Sequence, residues 1–191
     1  MKGRMINLIL LGALALVLNS CGGGGGSGGV GGITSTSGGT FTAATILLDS
    51  DVAIWTGTPG ATGSTYTVLP NDDNITFTAF SAPAGSTGNT PEQVIIKGVT
   101  IVYSPASAGS PALPTQYQAI SQQVALGGSI TFPVRVASQQ LKTDPPLSIL
   151  VYPSTTIYSY YVTMVFDCQY LVSGNSFQGS TQINIRFADF S

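Results

Sequence analysis

The stretch SYYVTMVFDC, residues 159–168, sets Tyr160, Val162, Met164, Phe166 and Cys168 on one side of an extended chain. Ser159, Tyr161, Thr163, Val165 and Asp167 fall on the other. A period of two over ten residues is the signature of a half-buried β-strand. The following Ser173-Gly174-Asn175-Ser176 carries turn chemistry, and a second alternating run spans 181–187 with Ile183, Ile185 and Phe187 in phase. Together they predict an antiparallel hairpin. Working outward, the same period recurs at Ile75, Phe77 and Ala79, at Val99, Ile101 and Tyr103, and at Ile130, Phe132, Val134 and Val136. Segments 44–48 and 52–55 add one or two strands at the start. No segment holds a helical period over eleven residues, although 138–142 is long enough for one turn.

Turn signals fall at Pro59-Gly60, 71–74, 83–91, 104–114, Gly127-Gly128 and Pro145-Pro146. Pro133, inside an alternating run, predicts an edge or a bulge there, because proline has no N–H to donate to a ladder. About seven or eight strands broken in this way predict an all-β, antiparallel sandwich over residues 40–191.

Composition agrees with a packed body. Hydrophobic residues make up 43% of the 191-residue chain and charged residues only 7%, against about 25% in an average soluble domain. Beyond residue 21 there are four basic side chains and eight acidic ones. No basic stripe could neutralise a run of phosphates, which argues against nucleic-acid binding.

The N-terminus has a different character. Lys2 and Arg4 precede an apolar run from 6 to 18. Thirteen helical residues span about 20 Å, less than a hydrocarbon core of roughly 30 Å, so the segment predicts an export signal. Its end, Leu18-Asn19-Ser20-Cys21, resembles the lipobox of bacterial lipoproteins. The resemblance implies a signal peptide over 1–20, cleavage after Ser20, and acylation of Cys21 by thioether and amide. An ordinary secretory signal is the plainer alternative. Gly22 in place of an aspartate implies, by analogy with enterobacterial lipoproteins, the outer membrane. Residues 22–39 contain eleven glycines, so 21–39 predicts a lipidated cysteine followed by a flexible tether.

The strand order and closing hairpin resemble an immunoglobulin-like or fibronectin type III-like sandwich. The ending from Ile185 to Phe190 is similar to that of bacterial lipoproteins carrying such a domain. The resemblance implies a tyrosine corner at Tyr158, Tyr160 or Tyr161. No cysteine pair is present to bridge the sheets, and Trp55 comes too early to be the usual core tryptophan.

Chemistry-bearing residues are few. The chain has no histidine, the commonest general base and metal ligand. Cys168, in phase with Phe166 and Met164, predicts a small buried hydrophobe. Asp49 and Asp51, with Asp72 and Asp73, offer carboxylates for calcium if their loops share one end of the sandwich. Solvated turn residues are the plainer reading, and neither pair has calcium-loop spacing. A paired-carboxylate glycosidase would need two such groups across a cleft. Trp55, Tyr66, Tyr117, Tyr152, Tyr158 and Tyr170 lie in or near polar stretches, where flat rings suit sugar stacking. Trp55 and Tyr117 are the leading ligand-binding candidates.

These observations predict a lipid-anchored envelope protein, not an enzyme, with no cofactor or metal. The membrane is one partner, through the acyl chains on Cys21, and the sandwich either binds an envelope protein or has a structural role at the cell surface. The alternative is a carbohydrate-binding module holding surface or extracellular polysaccharide.

Overall fold

The computed structural model describes residues 34–35, 38–81, 92–152 and 155–189. The signal peptide, Cys21, most of the tether and the loop expected at 83–91 lie outside them. The strands are β1 (Thr34–Ser35), β2 (Gly39–Ala43), β3 (Leu47–Asp51), β4 (Ile54–Thr56), β5 (Thr65–Thr67) and β6 (Asn71–Ala79). They continue as β7 (Gln93–Pro105), β8 (Gln116–Ala125), β9 (Ser129–Ala137), β10 (Tyr158–Tyr170) and β11 (Ser176–Ala188). Helix α1 (Gln139–Thr143) and a 3-10 turn (Leu147–Val151) lie between β9 and β10.

The protein is all-β. One sheet has the order β1-β2-β6-β9, a second β3-β11-β10-β7-β8, and β4 with β5 forms a small hairpin of its own. All pairings are antiparallel except β3 with β11, which is parallel. The hairpin read from 159–187 is present as β10 and β11, with Tyr160 facing Ile185 and Met164 facing Thr181. All five residues assigned to its inner side are buried.

The core lies between the two large sheets. Phe41 of β2 stacks on Phe166 of β10 with centroids 4.2 Å apart, and Phe77 of β6 tilts against Phe41 at 4.5 Å. Phe132 of β9 meets Phe166 edge-on at 6.1 Å. Burying each such side chain stabilises the fold by about 2–3 kcal/mol, so this ring cluster clamps one sheet to the other.

Several expectations are corrected. The described residues hold eleven strands where seven or eight were expected, because two-residue and three-residue pieces give no readable period. Of the strand expected at 44–48, Leu47 and Leu48 lie in β3, and residues 44–46 are instead a crossing between sheets. Ala44 N–H still donates to Asn74 O of β6, while Ile46 O already accepts from Asn184 N of β11. Thr45 sits at the switch, its Oγ1 donating to Asp73 Oδ1 at 2.8 Å. Residues 71–74, read as a turn, open strand β6; their polar side chains mask the alternation. Strand β8 went unread because QYQAISQQVA is dominated by glutamine. No tyrosine corner forms at Tyr160: its hydroxyl donates at 2.9 Å to Pro111 O, 49 positions upstream, and ties β10 to the 106–115 segment. Pro133 does lie on an edge strand, since β9 ends its sheet.

Candidate functional site

Trp55 and Tyr117 occupy separate places. Trp55, on β4, is half-buried rather than exposed, and its Nε1–H donates to Val151 O at 2.7 Å. Its ring lies 5.1 Å from Tyr66, its cross-strand partner on β5, and 5.7 Å from Tyr152, with tilts of 47° and 42°. Tyr66 and Tyr152 are 47% and 59% exposed. The tryptophan therefore anchors two solvent-facing tyrosines. The sequence pointed to all three rings without showing that they meet. Tyr158 and Tyr170, also expected to be exposed, are half-buried against the core.

Tyr117, on β8, is 65% exposed and belongs to a different surface. Its ring lies over Gly98 of β7, where a Cβ would meet the hydroxyl. Beside it runs an open groove of about 420 Å³ between the β8 edge of one sheet and the β9 edge of the other. Strand β8 lines it with Gln116, Tyr117 and Gln118, β9 with Pro133 and Arg135, and β6 with Asp72. Gln118 Oε1 accepts from Arg135 N–H at 2.9 Å, and Arg135 Nε donates to Asp72 Oδ1 at 3.0 Å. Gln116 Nε2 donates at 3.1 Å to Ser138 Oγ, the N-cap of α1, beyond which a smaller hollow of about 230 Å³ continues along the helix. Amide side chains that donate and accept stand in this groove beside the apolar surfaces of Ile101, Tyr117 and Pro133.

The acidic residues have structural partners. They stand on strands β3 and β6, not in turns. Asp49 holds Arg186 of β11 through two bonds of 2.6 and 2.7 Å, which lowers its carboxyl below the ordinary value. Asp72 pairs with Arg135, and Asp73 is buried against Thr45. Among the described residues no three of Cys, Asp and Glu come together as a metal cage.

The titratable side chains of Cys168 and Lys142 are also buried. Cys168 is buried, and burial, with Asp167 adding, pushes its thiol up to about 12. It stays protonated at neutral pH and is a poor nucleophile. Lys142 of α1 is only 1% exposed, and its Nζ donates to Asp51 O at 2.8 Å and to Leu69 O at 2.6 Å. Burial lowers its ammonium to about 8, against the opposing pull of Asp51. Sequence reasoning missed this lysine, since nothing in the local pattern distinguishes it from a solvated one.

No family model, curated protein or solved structure matches the chain. Among the described residues no helix is long and apolar enough to cross a membrane.

Proposed function

We propose that this chain is a lipid-anchored protein of the bacterial cell envelope, held at the outer membrane through acyl chains on Cys21. Its sandwich is non-catalytic and binds an extended segment of another envelope protein along β8. One observation carries the binding mode: β8 is a ten-residue edge strand with no charge and no proline, and the amide-lined groove runs beside it. Edge strands are ordinarily blunted by lysine, proline or a cover. Strand addition draws affinity from the main chain and specificity from neighbouring pockets. Gln116 and Gln118 are suited to the second role.

The strand order supports an immunoglobulin-like reading. Strands β2, β6 and β9 stand where A, B and E stand in that fold, and β7, β10 and β11 where C, F and G stand. The fourth strand of the first sheet in the constant-type arrangement has no counterpart between β8 and β9.

The test is a photo-crosslinking amino acid placed in cells at Gln123 on β8, with Gln182 on the exposed face of β11 as the comparison site. A discrete heavier species from position 123 alone is expected, lost in Ser121→Lys with an unchanged melting midpoint. Equal capture at both positions, or none at either, would overturn the reading.

A further inference from the structure

We propose that Tyr66 and Tyr152, set on Trp55, form a binding site for a neutral glycan chain. The site is independent of strand addition at β8 and stands on different elements.

Residues 52–70 and 145–152, which supply the three rings, contain no Asp, Glu, Lys or Arg, and the residues that flank them at 51 and 144 are aspartates. Lys142 is buried and turned onto Asp51 O and Leu69 O. These segments therefore offer an anionic ligand no cation to pair with. Threonine and serine hydroxyls on the hairpin supply the polar rim.

The three rings form one contiguous aromatic surface, with Trp55 5.1 Å from Tyr66 and 5.7 Å from Tyr152. The axial C–H bonds of a sugar present positive hydrogen to the negative face of an aromatic ring, and tyrosine adds a hydroxyl at its rim.

The Trp55 N–H bond to Val151 fixes the central ring. The hairpin tip is closed by Ser64 Oγ donating to Thr58 O at 2.5 Å and Ala61 N–H to Thr58 O at 3.0 Å. A surface already ordered loses little freedom on binding.

Trp55 is the only tryptophan in the chain, so its fluorescence reports on the site. The full-length protein in detergent is titrated with laminarin, hydroxyethyl cellulose, galactomannan and dextran, with polygalacturonate as the charged control. At least one neutral polymer is expected to shift the emission and to retard the protein in an affinity gel, and polygalacturonate to do neither. Tyr66→Ala and Tyr152→Ala should each weaken binding at least tenfold, with Tyr161→Ala, at an exposed ring on β10, as a binding-competent control. Tyr66→Phe separates loss of the ring from loss of the fold by keeping most of the affinity. No response to any neutral polymer would overturn the proposal, as would unchanged binding in both alanine variants. A protein crosslinked at position 152 in the absence of any glycan response would overturn it too. Crosslinking at position 123 tests the β8 reading separately, so either can fail without the other.

Discussion

At the scale of single residues, burial decides chemistry. Lys142 lies under α1 with two carbonyls as hydrogen-bond acceptors, so its ammonium remains only partly compensated and falls from 10.5 to about 8. Between pH 8 and 10.5 the unfolded chain holds a proton that the folded one has released, so stability rises with pH across that window. Lys142→Met should lower stability at neutral pH by about 2 kcal/mol through the two abandoned carbonyls. The gap to wild type should then widen by up to about 3 kcal/mol as pH is raised to 10.5. Urea melts of both proteins measure it, and a gap that stays flat refutes the burial argument. Cys168 shows the opposite sign: its raised thiol keeps its proton when folded, so this contribution falls above pH 9, equally in both proteins. In a Cys21→Ala background a thiol reagent should find no reactive group at pH 8 until guanidinium unfolds the chain. The inward phase of Cys168 was legible from its neighbours Phe166 and Met164. The burial of Lys142 was not, because its two acceptors are 91 and 73 positions away.

At the scale of elements, close approach between strands separates tolerant from intolerant positions. A Cβ at Gly39 on β2 would lie 2.5 Å from Thr78 O and from the Phe77 ring, and neither has room to retreat from the core. At Gly98 on β7 the obstacle is the Tyr117 hydroxyl, the outer end of an exposed side chain that can swing away. Gly39→Ala should therefore cost more than about 2 kcal/mol and Gly98→Ala less than about 1, read from thermal or chemical melts. Comparable losses at both sites would contradict this account. The crossing between sheets offers a further test. Asp73 accepts from Thr45 Oγ1 and from Asn74 N–H where the chain leaves β2 for β3. Asp73→Ala should destabilise by about 1 kcal/mol, the net worth of the part-buried hydrogen bonds it loses, and calcium should not restore the loss. Long alternating strands such as β9 and β10 could be read directly, as could the one-turn helix opened by Ser138. Strand β8 and the 44–46 crossing could not, because their conformation answers to neighbours supplied by β7, β6 and β11.

At the scale of the whole molecule, two sheets are held together by rings from four strands, and the surface outside them is nearly devoid of charge. The proposed envelope attachment belongs to this scale, since it concerns where the entire body sits. Cys21→Ala should move the protein from the membrane fraction to the soluble one, and continued sedimentation with membranes would refute lipidation at that residue. The all-β class and the final hairpin followed from the sequence alone, because alternation in polarity is a local consequence of having one wet and one dry face. The sequence likewise determined the scarcity of titratable groups. Only the tertiary structure decided which sheet each strand joined, that β3 lies parallel to β11, and that Trp55 meets Tyr66 and Tyr152 while Tyr117 stands elsewhere. These are relations between residues far apart along the chain, and a one-dimensional pattern encodes how much surface must be hidden but not which partner will hide it.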